Sequence, residues 1–367
     1  MRKILQKLLK KPVTWLAIKL SSSPRKKQVF ESLSSLLGTL KDARPGHPLI
    51  VPFEVDKGKF IILSDQHKGA KDLADDFRNT ETNYLDTLQY YLDSNFTFIN
   101  LGDCEELWES KPSVVVAKNR KTLEMEARFL TAGRYFRIYG NHDLEWSFDP
   151  QRILHLKPVF GPKLTVSQGL LLHCTYKEKK YSIFLAHGHQ GDQRSDGNWF
   201  SKIFVAWIWT PIQRFLQIQL DRVSDSFELV DKHNILMYEW SATQKDLLFI
   251  SGHTHKPVFA SLDHIDRLTR QLEIARSQGD HVLIRSLEKE ILNRQEEYAG
   301  KKVVKTMAKP TYFNSGCCCY SDGDLTGIEI ENGFIRLVKW KSDEGKSTRI
   351  VLEESPLFYL FDLLESE

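Results

Sequence analysis

The chain has 367 residues, of which 41% are hydrophobic and 27% charged, with a formal net charge of +3 at pH 7; this is long enough for a substantial core and excludes wholesale disorder or a polytopic membrane protein. Nine Lys/Arg and no acid fall within residues 1–27, which leaves 42 basic against 48 acidic residues beyond them, a mildly acidic body without a basic stripe that argues against nucleic acid. Five cysteines, three of them consecutive at Cys317, Cys318 and Cys319, make no disulfide framework at this size and point to reduced thiols, expected to be buried, in a cytoplasmic chain.

Residues 1–48 read as a basic amphipathic arm and linker. Ile4, Leu5, Leu8, Leu9, Trp15 and Leu16 alternate with Lys and the pattern breaks at Pro12. Such an arm suits an anionic membrane surface, at the inner face if the chain is cytoplasmic, and equally a solvated segment packed on its own domain. A signal peptide is the rival reading, opposed by Lys19 and by the lack of a small-residue cleavage site. The Pro/Gly-rich stretch 44–48 is the linker, and the main domain spans 49–340.

Within that domain the apolar run Phe60 to Leu63 reads as a buried strand ending in Ser64-Asp65-Gln66-His67. A helix over 80–92 follows, then a strand over 96–101 ending in Gly102-Asp103, a polar helix over 114–132, and a strand from Tyr135 ending in Gly140-Asn141-His142-Asp143. A further strand over 181–186 ends in His187-Gly188-His189, and one over 247–251 ends in Gly252-His253-Thr254-His255. Between these two lies an excursion over 190–246, whose aromatic positions Trp199, Phe200, Phe204, Trp207 and Phe215 share a helical face. That face either packs as core or caps the site, admitting an apolar part of the substrate or touching a membrane. Residues 261–300 read as an antiparallel helical hairpin, a surface for a protein partner or self-association. Strand patterns return at 312–316 and 327–338, and residues 341–367 are taken as a C-terminal tail. No apolar run reaches the roughly 18 residues of a membrane span. Strands alternating with helices, with polar residues gathered at strand ends, indicate an α/β sheet protein with a site along one edge.

The strand ends supply Asp65, His67, Asp103, Asn141, His187, His253 and His255. Three oxygen donors and four imidazoles, without a thiolate, are too many for one zinc ion. They suit two metals sharing a carboxylate, with Mn, Fe or Zn preferred over a soft metal. Two such ions could share a hydroxide, lower its pKa and clamp the oxygens of an in-line displacement at phosphorus. Each piece has a bland reading as a turn residue or a surface histidine; five pieces in this order, each after an apolar run, do not.

The order Asp65-x-His67, Gly102-Asp103, Gly140-Asn141-His142-Asp143, His187-Gly188 and Gly252-His253-Thr254-His255 resembles the calcineurin-like metallophosphoesterase superfamily over roughly residues 60–340. The resemblance implies an α/β fold, a four-layer α/β/β/α sandwich with helical insertions. It implies one metal on Asp65, His67, Asp103 and His255 and a second on Asp103, Asn141, His187 and His253, with Asp103 bridging. His142 would protonate the leaving oxygen or stabilise the transition state, and Asp143 would orient it. The cofactors implied are two divalent or trivalent ions, Mn2+ first, with Fe or Zn open. The activity implied is hydrolysis of a phosphate ester or pyrophosphate in a phosphorylated small-molecule or lipid-linked substrate.

Gly102-Asp103-Cys104-Glu105-Glu106-Leu107-Trp108 and Gly252-His253-Thr254-His255-Lys256-Pro257 are in addition similar to patterns of the pyrophosphatase family that cleaves UDP-2,3-diacylglucosamine. This chain departs from that family at His142, where the family has Arg, and at 189–196. His189, Glu106, Asp192 and Arg194 are candidates for substrate contact or for supporting the ligands. Two alternatives stay open: a membrane-associated lipid pyrophosphatase, and a non-catalytic scaffold that keeps the fold.

Overall fold

The computed structural model describes residues 25–42, 49–72, 75–191, 227–263, 269, 272, 275–276, 279, 281–297, 309–343 and 345–365. In chain order the elements are α1 (Lys26–Lys41), β1 (Ile50–Pro52), β2 (Lys59–Leu63), α2 (Phe77–Asp93), β3 (Thr97–Leu101), α3 (Pro112–Lys118), α4 (Arg120–Thr131) and β4 (Tyr135–Ile138). After short helical turns over 144–160 come β5 (Gly169–Tyr176), β6 (Lys179–Ala186), α5 (Phe227–Ser241), β7 (Leu247–Ser251), β8 (Val258–Phe259), β9 (Leu262–Asp263) and α6 (His281–Glu297). The chain closes with β10 (Tyr312–Asn314), β11 (Leu325–Glu331), β12 (Phe334–Asp343), β13 (Lys346–Pro356) and α7 (Leu357–Glu365).

The strands form two mixed sheets, one ordered β1-β5-β6-β7-β10-β8-β9 and the other β13-β12-β11-β2-β3-β4. Strands such as β2 are continuously apolar because both of their faces are covered. Phe60 and Ile62 join Leu101, Ile138, Leu172, Ile183 and Ile250 in the layer between the sheets. Ile61 and Leu63 point the other way, onto Tyr84 and Leu88 of α2 and Leu123 and Phe129 of α4. The outer face of the other sheet, at Phe184 and Phe249, is covered by Leu33 and Leu37 of α1 and Met237 and Trp240 of α5. The result is the α/β sheet protein expected from the alternation of strands and helices, in the four-layer α/β/β/α arrangement that the motif resemblance implied.

Several boundaries differ from the expectation. Helix α1 lies inside the span read as arm and linker; its buried residues Val29, Leu33, Leu36, Leu37 and Leu40 recur at helical spacing and make it part of an outer layer. The segment read as a tail supplies edge strand β13 and helix α7, which buries Leu357, Leu360 and Phe361 in the inter-sheet core. Helix α5, placed in the cap excursion, is likewise an outer-layer helix rather than a lid. The polar helix is split at Asn119, the strand over 327–338 is the hairpin β11–β12, and Leu262 belongs to β9 rather than to the helical hairpin. In that hairpin Leu272 and Ala275 pack on Leu287 and Ile291. The basic segment 1–24, the linker, the aromatic stripe and positions Asp192 and Arg194 lie outside the described residues. Among the described residues no helix is long and apolar enough to cross a membrane.

Strands β2, β3 and β4 are parallel neighbours, as are β6 and β7. Their C-terminal ends therefore deliver side chains to the same edge of the sandwich, the usual place for a site in an α/β sheet.

Candidate metal centre

The loops that leave these strand ends adopt backbone conformations that side chains rarely take. φ is 53° at Asp65, 48° at His67, 50° at Asp103, 72° at His253 and 58° at His255. Each such residue costs on the order of 1–3 kcal/mol and persists only where its surroundings over-determine it. The surroundings here are strand-like pairing that continues past the strands. Asp65 N–H donates to Gly102 O at 3.0 Å, His67 N–H to Asp103 O at 2.9 Å, and Glu106 N–H to Lys68 O at 3.0 Å. Two motif glycines follow from the closeness of the loops. A Cβ on Gly140 would stand 2.1 Å from Asp103 Oδ1, and one on Gly252 2.5 Å from Asp65 Oδ2.

Six of the seven expected ligands fall into two groups, Asp65/His67/His255 and Asp103/His187/His253, each with its ligand atoms within 4.8 Å of one another. Asp103 Oδ2 faces both groups, 3.1 Å from His187 Nε2 and 3.7 Å from His67 Nε2. His255 Nε2 lies 3.3 Å from Asp65 Oδ1 and 3.1 Å from His67 Nε2. The carboxylates are tied to backbone on their other side: Asp103 Oδ1 accepts from His142 N–H at 2.8 Å, and Asp65 Oδ2 from His253 N–H at 2.9 Å.

Asn141 Oδ1, His187 Nε2 and His253 Nε2 are buried without a hydrogen-bond partner. His187 Nε2 approaches Asp103 without the alignment of a hydrogen bond. Native interiors rarely leave such atoms unmatched. The backs of two imidazoles are nevertheless fixed. His187 Nδ1 donates to the Leu101 carbonyl at 2.9 Å, and His67 Nδ1 pairs with Glu106 Oε2 at 3.1 Å. A carbonyl or an ionised carboxylate only accepts, so in the neutral rings the lone pair sits on Nε2, directed inward. Two buried carboxylates, inward imidazole lone pairs and an unmatched amide oxygen are the donor set that N/O-preferring cations take.

The electrostatics agree. Burial opposes charge on His67, but hydrogen bonds to Asp65 and Glu106 and the charge of Asp103 outweigh it and raise the imidazole to about 9. His187 is raised to about 9 by Asp103 and Asp65, again against burial. Burial also works against ionised Asp65 and Asp103, yet the neighbouring imidazoles hold both carboxyls well below their usual range. Positive charge is thus favoured on His67 and His187, whereas burial and the neighbouring His233 and His187 push His253 well below the ordinary imidazole range.

His142 stands beside this cluster. Its Nδ1 pairs with Glu106, 2.9 Å from Oε1 and 2.8 Å from Oε2, and its ring stacks on Trp108 at a centroid distance of 3.9 Å. The carboxylate that meets the His142 ring is therefore Glu106 and not Asp143, the residue expected there. Asp143 is fully buried and accepts from the Gly140 N–H at 2.6 Å and the Cys104 N–H at 3.0 Å, so it ties together the loops after β3 and β4. Burial and the charges of Glu105 and Asp103 raise it to about 6.

His189 is buried with its ring 5.5 Å from His187 and 6.2 Å from Tyr139, close to the cluster but outside both ligand groups. Two features escape sequence reading. His233 of α5 donates through Nε2 to Gly188 O at 2.7 Å and stands 5.0 Å from the His253 ring. Beneath the centre lies a wholly buried quartet of Lys68, Glu105, Glu126 and Arg137. Trp146 Nε1 donates to Glu105 at 2.6 Å, and Tyr84 and Tyr135 donate to Glu126 at 3.0 and 2.9 Å. Trp108, by contrast, was marked by its place in the Gly-Asp-x-x-Glu-x-Trp pattern.

No family model matches the chain, and no curated protein matches it. Among solved structures the chain is similar to a dimetal phosphatase from Danio rerio at 9% identity and a TM-score of 0.38, covering 81% of this chain and 99% of that one. It is also similar to Vacuolar Protein Sorting 29 from Cryptosporidium parvum, at 11% identity and a TM-score of 0.31, covering 82% and 98%. A single mutant of Vps29 from Entamoeba histolytica matches at 13% identity and a TM-score of 0.29, covering 80% and 99%.

Proposed function

We propose that the chain is a dinuclear-metal phosphoesterase that hydrolyses a phosphate ester or pyrophosphate. One cation would be held by Asp65, His67, Asp103 and His255, the other by Asp103, Asn141, His187 and His253. The observation that carries this reading is the set of unmatched buried donors, Asn141 Oδ1, His187 Nε2 and His253 Nε2, beside a carboxylate shared between two imidazole groups. When bound, such a pair supplies Lewis-acid activation of water and neutralises charge on the phosphoryl oxygens. The chain's own residues do the rest. Glu106 fixes His142 through Nδ1, which leaves Nε2 to hold a proton for the departing oxygen. Trp108 limits rotation of that ring, and Asp143 keeps the two loops in register.

The test is hydrolysis of an aryl phosphate, an aryl phosphodiester and a nucleoside diphosphate sugar by metal-stripped protein reloaded with Mn2+, alongside Asp103→Asn. Cleavage of at least one substrate, lost with bound metal in Asp103→Asn, is expected. Silence on all three with two metals bound would overturn the hydrolase reading and leave a metal-binding scaffold.

A further inference from the structure

His255 has two ring nitrogens with different neighbours. Nε2 faces Asp65 and His67, whereas Nδ1 lies 4.0 Å from Cys319 Sγ. The cysteines reach this position through the turn after β10. Gly316, at φ 76°, passes so close to Thr326 that a Cβ would stand 2.0 Å from its Oγ1. Cys318 then packs into the core on the helix side of the six-stranded sheet, and its N–H donates to Asp65 O at 3.1 Å. The residues on either side meet at His255: Cys317 Sγ, Cys319 Sγ and a His255 ring nitrogen lie within 4.8 Å of one another. Both thiols are free. Cys317 is 1% exposed and Cys319 is half-buried, so the group opens to solvent on the Cys319 side.

We infer that Cys317, Cys319 and His255 Nδ1 form a site for one thiophilic cation of the zinc type, chemically distinct from the nitrogen and oxygen donors of the neighbouring centre. Two sulfurs and an imidazole select soft or borderline ions, whereas the set built on Asp65 and Asp103 suits Mn or Fe. Bonds of about 2.3 Å to sulfur and about 2.0 Å to nitrogen place two ligand atoms of a tetrahedral ion roughly 3.5–3.8 Å apart. The observed spacing reaches that by small side-chain rotations, the half-exposed Cys319 moving most readily. An ion there releases the two thiol protons to solvent and, where Nε2 already ligates the neighbouring centre, the Nδ1 proton of His255 as well, so that the ring bridges as an imidazolate; a fourth position is left for solvent. It would also share the His255 ring with the centre described above. That coupling rests on the proposed function; the site itself does not.

The test is a cadmium titration of the full chain preloaded with Mn2+, read by the ultraviolet thiolate-to-metal charge-transfer band, which nitrogen and oxygen ligands do not give. One equivalent of Cd2+ is expected to saturate the band in the wild type. In Cys319→Ser affinity should fall by about tenfold or more, at least the loss seen when only a ligand's support is removed. The band should vanish in the Cys317→Ser/Cys319→Ser double variant and persist in Cys318→Ala. No band in the wild type, or an equal band in the double variant, would overturn the assignment whether or not the chain hydrolyses anything.

Discussion

Replacing Glu106 with Gln keeps the side-chain volume but removes a charge and one of two acceptor oxygens. In the wild type both oxygens contact His142 Nδ1, at 2.9 and 2.8 Å, and Oε2 also takes His67 Nδ1 at 3.1 Å. The one remaining acceptor oxygen can serve both rings only from the Oε2 position, and through neutral bonds that favour the Nδ1–H tautomer less than a carboxylate does; a His67 that moves its proton to Nε2 cannot ligate. Charge-assisted hydrogen bonds are worth about 1.5–3 kcal/mol against about 1 kcal/mol for neutral ones. Metal affinity at the Asp65/His67/His255 group should accordingly fall about 10–100-fold, the range for loss of a ligand's hydrogen-bond partner. At about 1.4 kcal/mol per decade that is roughly 1.4–2.8 kcal/mol. Turnover at saturating metal should drop as well, forfeiting part of the 10²–10⁴-fold that a positioned acid contributes on the order of magnitude. The assay is turnover against free Mn2+ with an independent binding titration. Unchanged metal affinity and unchanged saturated turnover would refute both the tautomer argument and the role given to Glu106.

His142→Ala should retain both metals by elemental analysis while losing on the order of a hundredfold in turnover; wild-type turnover would remove His142 from the chemistry. Lys68→Met leaves Glu105 and Glu126 with one cation instead of two in a wholly buried cluster, and breaking such a network should cost about 3–5 kcal/mol in urea unfolding. A loss within the scatter of ordinary surface substitutions would show that the cluster relaxes. Removing metal with a chelator should lower the melting temperature, because a ligand at about 100 times its Kd stabilises the folded state by about 2.7 kcal/mol; an unchanged melting curve would contradict a preformed centre. Protons on His67 and His187, both raised to about 9, compete with a cation. Apparent metal affinity should thus climb with pH until both rings are neutral near that value, and a flat profile from pH 6 to 9 would exclude these imidazoles as ligands.

The centre was legible in the sequence because its grammar is local. A parallel strand that is apolar throughout and ends in Asp or His announces both its burial and the direction of its last side chains, as at Phe60 to Asp65 and Leu247 to His253. The edge of the fold was not legible for the same reason. Strand β13 alternates exposed and half-buried residues and has no buried face of its own, so a reader of apolar runs takes it for a tail. Asp143 misled because adjacency in sequence suggested adjacency in function. Its carboxylate instead turns to the Gly140 and Cys104 N–H groups, which have fewer alternative partners than an imidazole facing Glu106.

The buried quartet was invisible because its members come from four places in the chain, and a charged residue in a helix or strand is ordinarily a solvated one. Its purpose is not obvious from stability, since apolar residues of similar volume often serve as well as a buried ion network. Position explains it better. Glu105 and Glu106 are consecutive on a loop that pairs with residues 65–68 as a strand would, so their side chains leave on opposite sides. Glu105 is clamped from behind by Arg137, Lys68 and Trp146, and that clamp fixes where Glu106 meets His67 and His142. If the quartet exists to aim Glu106, the destabilised Lys68→Met protein should also bind Mn2+ more weakly under conditions where it remains folded. A variant that loses stability but keeps wild-type metal affinity would reduce the network to ordinary core.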